Sequence, residues 1–99
     1  MLHAAVLGFG TVGSGVAEVL DKNQKKIAEK LGQEIDLKYI LCRSAHPDSP
    51  YAGRIVHDFS VIESDPQVTI VAECIGGATV AYDYVRRCLL AGKHVVTSN

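Results

Sequence analysis

Basic excess is the first thing missing. Ten Lys and Arg stand against eleven Asp and Glu, a net charge of −1. No broad positive field is therefore available for nucleic acid or an anionic membrane. Long apolar runs are missing too, and the longest falls far short of the roughly 18 residues a membrane span needs. The N-terminus, Met1-Leu2-His3-Ala4-Ala5, has no basic region. Its apolar run enters a glycine-rich corner rather than a cleavage site, which argues against a secretory signal and for a cytoplasmic protein. Cysteine is sparse. Cys42, Cys74 and Cys88 make an odd set without a Cys-x-x-Cys pair, so reduced thiols are expected rather than a disulfide framework or a metal site. Internal repeats and low-complexity stretches are absent as well. What remains, 99 residues with 47% apolar and 21% charged, is an ordinary globular balance for one domain over residues 1–99.

The stretch Ala5-Val6-Leu7-Gly8-Phe9-Gly10-Thr11-Val12-Gly13 organises that domain. An apolar run ends in glycines with Gly-x-Gly-x-x-Gly spacing and passes into a helical pattern. Gly8 permits a sharp turn out of a strand, Gly10 lets a pyrophosphate approach the backbone, and Gly13 lets the helix pack closely on the strand. The helix start then offers N–H groups and a partial positive charge to phosphates.

The remaining elements follow from pattern. Residues 2–7 read as a buried parallel strand. A single helix is expected from Thr11 to Leu31, with Val12, Val16, Val19 or Leu20, Ile27 and Leu31 as its apolar stripe and Gly32 as its stop. Its basic cluster, Lys22, Lys25, Lys26 and Lys30, reads as a solvated face. Asp36–Arg43 reads as a second strand, 44–53 as a loop, Arg54–Phe59 as a short third strand and Ser60–Ser64 as a helical turn. Val68–Glu73 is a β-branched fourth strand. A turn at Cys74–Gly77 follows, then a helix from about Thr79 to Ala91 with Val80, Tyr84, Val85, Cys88 and Leu89 near one face. His94–Thr97 is the last strand.

Strands alternating with helices imply an α/β fold. The expectation is a doubly wound, mostly parallel, three-layer Rossmann-like sheet of order 3-2-1-4-5. Ligand would lie at the carboxyl ends of strands 1 and 4. Four segments meet at that edge: Gly8–Gly13, Arg43-Ser44, Cys74–Gly77 and Thr97–Asn99. The second strand ends in Arg43 rather than an acidic residue. A guanidinium can pair with a 2′-phosphate, so NADP is favoured over NAD, unless Arg43 stacks on adenine or faces solvent. Gly76-Gly77 allows backbone near the nicotinamide ribose or is an ordinary turn. Thr97, Ser98 and Asn99 contact the nicotinamide end or are a polar strand exit. Cys74 reads as a structural thiol. His3, His46, His57 and His94 show no ligand spacing, so neither a metal nor a catalytic histidine is expected. Lys93 reads as a polar residue after a helix stop.

Three stretches together resemble a specific family. Gly8-Phe-Gly-Thr-Val-Gly-Ser-Gly-Val16, Val71-Ala-Glu-Cys-Ile-Gly-Gly77 and Ala91-Gly-Lys-His-Val-Val-Thr-Ser-Asn99 are similar to homoserine dehydrogenases, and the Ile40-Leu-Cys-Arg43 strand exit fits. The resemblance covers essentially the whole chain. It implies NAD(P)-dependent interconversion of L-homoserine and L-aspartate 4-semialdehyde, on the threonine and methionine branch of amino-acid biosynthesis. It implies that Phe9, Thr11, Val12, Ile75–Gly77, Ser98 and Asn99 line the cofactor and that Arg43 meets the 2′-phosphate. The family's lysine after the Thr-Ser-Asn segment, and its substrate and dimerisation domain, are not in these residues. The resemblance therefore implies a cofactor-binding portion without turnover of its own, from a protein that is a homo-oligomer at full length. The alternatives are a stand-alone NAD(P)-binding sensor or the first domain of another amino-acid dehydrogenase.

Overall fold

A computed structural model of the chain describes residues 1–76 and 79–98. The elements in order are β1 (Leu2–Leu7), α1 (Thr11–Lys22), α2 (Gln24–Leu31), β2 (Ile35–Leu41), a 3-10 turn (Ala52–Arg54), β3 (Ile55–Val56), α3 (Phe59–Glu63), β4 (Val68–Glu73), α4 (Thr79–Leu90) and β5 (His94–Thr97). The strands form one sheet of order β3-β2-β1-β4-β5, with every pairing parallel. This is the doubly wound arrangement expected from the sequence, with the order reversing at β1 and β4.

Apolar side chains cover both faces of the sheet. Ala5, Leu7, Leu41, Val68 and Val71 pack against Phe59 and Ile62 of α3 and Cys88 of α4. Val6, Leu37 and Ile40 pack against Ala17 of α1 on the other face. Strand periodicity of two cannot place Leu37 and Ile40 on one face. A register shift resolves this, because Ala4 lies opposite Leu37 and Ala5 opposite Tyr39, so Lys38 is an extra residue in β2. A second shift passes over Thr69 in β4, and the buried Oγ1 of Thr69 has no hydrogen-bond partner.

Several elements differ from expectation. The first helical region is two helices, because Asn23 sits at φ −110°, ψ 26° and its side-chain amide donates to the Val19 carbonyl. The apolar stripe packs only in part: Val16 and Leu20 lie against the core. Val12, Val19 and Leu31 are about half exposed, and α1 buries Gly13 and Ala17 instead, since small residues allow the closest approach to the sheet. On α4, Val80 and Leu89 are likewise exposed, while Ala81 and Cys88 are buried. β2 stops at Leu41, where the Gly8 N–H makes a 2.7 Å bond to the Leu41 carbonyl as β1 turns away. β3 is only two residues long, because the Asp58 carboxylate accepts from the Ser60 N–H at 2.9 Å and starts α3 at Phe59. Lys93 follows the stop of α4, as expected, and is buried. Its ammonium donates to the carbonyls of Asp65 and Val68 at 2.7 Å each.

Candidate functional site

The glycine corner is built by steric necessity. Gly8 has φ +96°, a left-handed conformation in which L side chains are strained, and a Cβ there would lie 3.0 Å from the Cys74 carbonyl oxygen. A Cβ on Gly13 would lie 2.0 Å from the Gly8 carbonyl oxygen. Gly10 is different, since a Cβ there would meet nothing within 4 Å. Its emptiness faces outward, on the side from which a ligand would approach. Gly10 is also the N-cap of α1, no side chain caps that helix, and its first turn carries no acidic residue. The first N–H groups of a helix have no intrahelical partner, so this end is set up for an anion.

A cleft of about 280 Å³ opens at this corner, lined by Gly8, Phe9, Gly10, Leu41, Cys42, Arg43, His57, Cys74, Ile75, Val80 and Tyr84. It collects the carboxyl-end exits of β1, β2, β3 and β4 and one face of α4. Of the residues singled out from sequence, Gly8, Phe9, Gly10, Arg43, Cys74 and Ile75 come together in it. Gly13 is buried beneath it. Thr11 and Val12 begin α1 but line a separate shallow groove with Gly15, Val16, Val19 and Leu20. Ser44 is exposed, with its carbonyl accepting from the Cys42 thiol. Gly76 takes φ +77° in the turn after β4. Thr97 and Ser98 sit at the β5 exit, where the Ser98 N–H donates to the Glu73 carbonyl. Gly77 and Asn99 lie outside the described residues.

Arg43 is exposed at the β2 exit, and among the described residues no salt bridge engages it. The other three arginines are committed, Arg54 to Asp21, Arg86 to Asp83 and Arg87 to Glu63. Beside Arg43, the His57 ring places Nδ1 2.8 Å from the Cys42 carbonyl. A carbonyl only accepts, so Nδ1 carries the proton and Nε2 is left for another partner. Sequence reasoning set His57 aside because the histidines show no ligand spacing. With the strand ending at Val56, His57 falls on the same edge as Arg43. Tyr84 was read only as one residue of the α4 apolar face. It stacks on Phe59 at 4.2 Å and also forms cleft wall. Phe9 meets His46 and Tyr51 edge-on, which folds the 44–54 loop over the corner.

Burial pushes the Cys42 and Cys74 thiols above the usual range, and the Glu73 carboxylate adds to the rise at Cys74. Both are poor nucleophiles near neutral pH. Among the described residues no group of three or more His, Cys, Asp or Glu could hold a metal ion. No described helix is long and apolar enough to cross a membrane.

Residues 8–99 match the family described as "Homoserine dehydrogenase, NAD binding domain". The chain belongs to this family. It is 39% identical over 101 residues to the homoserine dehydrogenase of Methylobacillus glycogenes, covering 99% of this chain and 24% of the relative. The Pseudomonas aeruginosa homoserine dehydrogenase is 37% identical over 99 residues, covering 99% and 23%. Among solved structures, the homoserine dehydrogenase of Thiobacillus denitrificans superposes with TM-score 0.89 at 35% identity, covering 99% of this chain and 23% of that one. The Staphylococcus aureus homoserine dehydrogenase at pH 7.0 gives TM-score 0.88 at 35% identity, covering 99% and 26%. The chain thus spans about a quarter of the length of the relatives it matches. Its fold is that of the family's NAD-binding domain, and its ligand class is the nicotinamide dinucleotide.

Proposed function

We propose that this chain is the dinucleotide-binding portion of a cytoplasmic homoserine dehydrogenase and that it takes NADP in preference to NAD. The uncommitted guanidinium of Arg43, beside an open helix N-terminus in one cleft, is the observation that carries the reading. The pyrophosphate lies over Gly10 and the start of α1, where N–H donors and the helix dipole favour it. The adenosine 2′-phosphate meets Arg43. The nicotinamide end continues past β1 toward the exits of β4 and β5, with Cys74–Gly77 and Thr97–Asn99 beside it.

When bound, the nicotinamide ring supplies the hydride acceptor or donor for interconverting L-homoserine and L-aspartate 4-semialdehyde. Turnover also needs a positioned substrate and a group that takes the alcohol proton. The cleft's thiols are held protonated, and its one histidine, His57, lies at the β3 exit beside Arg43, on the adenosine side of the glycine corner and away from the nicotinamide. These 99 residues alone therefore bind cofactor without turning over, and the amino-acid substrate and homo-oligomeric assembly belong to the longer protein.

Calorimetric titration with NADP and NAD tests the reading. NADP should bind more tightly. Arg43→Ala should weaken NADP by about tenfold or more, the scale of one lost hydrogen-bonded charge pair, and leave NAD nearly unchanged. Tighter NAD binding that ignores Arg43→Ala would overturn the assignment.

A further inference from the structure

Glu73 ends β4 with only 1% of its surface exposed, in a strand whose other buried positions are Val68 and Val71. A side chain kept only to fill the core would be apolar there, because burying a carboxylate is costly unless donors compensate it. Here the donors come from two different strand exits. Oε2 accepts from the Ile75 N–H at 2.7 Å, and Oε1 accepts from the Thr97 hydroxyl at 2.6 Å. The Glu73 carbonyl accepts from the Ser98 N–H at 3.0 Å. Among the described residues no salt bridge engages the carboxylate. One residue therefore fixes the turn that leaves β4 and the chain that leaves β5.

Sheet order says which part of a ligand would feel this. Arg43 is on the β2 side of the glycine corner, and Glu73 and Thr97 are on the opposite, β4 and β5 side. With phosphates over Gly10 and the adenosine toward β2, the nicotinamide ribose and ring extend toward β4 and β5. We propose that Glu73 is a positioning residue for the nicotinamide end of the dinucleotide. Its carboxylate ties the Ile75 backbone to the Thr97 hydroxyl, and its carbonyl holds the Ser98 N–H, so that the two exits are kept in one fixed relation beside the same stretch of ligand. The assignment rests on the dinucleotide reading given above.

Two ligands separate positioning from general support. NADPH carries the nicotinamide, and 2′-phospho-ADP-ribose lacks it. For Glu73→Gln in the full chain, NADPH affinity should fall about tenfold, the scale of a weakened charge-assisted hydrogen bond. The affinity for 2′-phospho-ADP-ribose should stay within about twofold, and the fluorescence enhancement of bound reduced nicotinamide should drop. Thr97→Val, at an exposed position, should reproduce a smaller version of the same split, and it carries the test if Glu73→Gln does not fold. Equal weakening of both ligands would overturn the assignment by making Glu73 a support for the whole edge, and so would no change in either. A wild-type chain that binds neither ligand would overturn the dinucleotide reading itself and this assignment with it.

Discussion

Gly13→Ala is the sharpest test of how the corner is built. The added Cβ would sit 2.0 Å from the Gly8 carbonyl oxygen and 2.8 Å from its carbon. Both are backbone atoms, so no side-chain rotation relieves the overlap. The N-terminus of α1 would have to retreat from β1 by more than an ångström. That retreat loosens Ala17, which is fully buried, and Val16 and Leu20 behind it. Overpacking typically costs about 1–3 kcal/mol, and a backbone-on-backbone clash belongs at the top of that range. Against a total stability of about 5–15 kcal/mol for a chain of this size, about 3 kcal/mol lowers Tm by roughly 12 °C or more. Thermal melts by circular dichroism measure it. Gly10→Val is the control. Its Cβ would meet nothing within 4 Å, and φ −77° with ψ −156° is ordinary extended backbone. Loss of a glycine N-cap costs about 1 kcal/mol at most, and reduced freedom of the unfolded chain offsets part of it. Tm should therefore move little, while NADP affinity falls at least about tenfold because the side chain fills the space assigned to phosphate. If Gly13→Ala melts within about 2 °C of wild type, the close approach of α1 to β1 is not what this corner requires. Unchanged NADP binding by Gly10→Val would place the ligand elsewhere.

Two further outcomes concern the opposite edge of the sheet. The Asp65 carboxyl accepts from Lys38 at 2.6 Å and Tyr39 at 2.7 Å, with the Gln67 N–H adding a third bond, and these hold its pKa down at about 2 against an ordinary 3.8. A carboxyl with a depressed folded pKa stabilises above its unfolded value, so this contribution is full above about pH 5 and is lost as pH falls through 4 toward 2. The stability advantage of wild type over Asp65→Asn, from urea melts at a series of pH values, should shrink across that window, and a constant gap would refute the linkage. Lys93→Met keeps the aliphatic length but removes the ammonium from the Asp65 and Val68 carbonyls, leaving the Asp65 carbonyl only the Val68 N–H at 3.2 Å. It should cost about 2–4 kcal/mol by denaturant titration at pH 7, and a loss below about 1 kcal/mol would mean those carbonyls find other partners.

The alternation of strands and helices carried the sheet order, because parallel strands with right-handed crossovers leave few arrangements for five strands. The glycine corner was legible for a related reason, since Gly8 is required by its left-handed φ and Gly13 by a distance that no side chain could tolerate. What stayed hidden depends on register. The extra residues Lys38 and Thr69 rephase β2 and β4, so simple alternation misassigns which residues share a face. The α1 packing face was legible in Val16 and Leu20, but hydrophobicity also pointed to Val12 and Val19, whereas closeness to the sheet selected Gly13 and Ala17. His57 was judged on histidine spacing alone, which carries no information on its place at the β3 exit, set by the Asp58 cap that starts α3 at Phe59. Glu73 was visible as a letter in an apolar strand, but its function as a clamp needs Thr97, 24 residues away, and only the fold brings the two together.

The charges of the chain sort by edge in a way that sharpens this picture. At the amino ends of the strands, His3 meets Asp36, Lys38 meets Asp65, and Lys93 caps two carbonyls. Lys38 and Lys93 are thus both spent on structure there. On the carboxyl edge, the one carboxylate that is buried, Glu73, is satisfied by neutral donors rather than by a cation. A cation placed beside Glu73 would satisfy it equally well, but it would also compete for ligand phosphates at that edge. Arg43 is instead held at the far side of the glycine corner, without a carboxylate to neutralise it among the described residues. Spending Ile75 N–H and the Thr97 hydroxyl on Glu73 therefore does two things at once. It stiffens the β4 and β5 exits, and it leaves the only uncommitted guanidinium of the described chain at the position proposed for the 2′-phosphate.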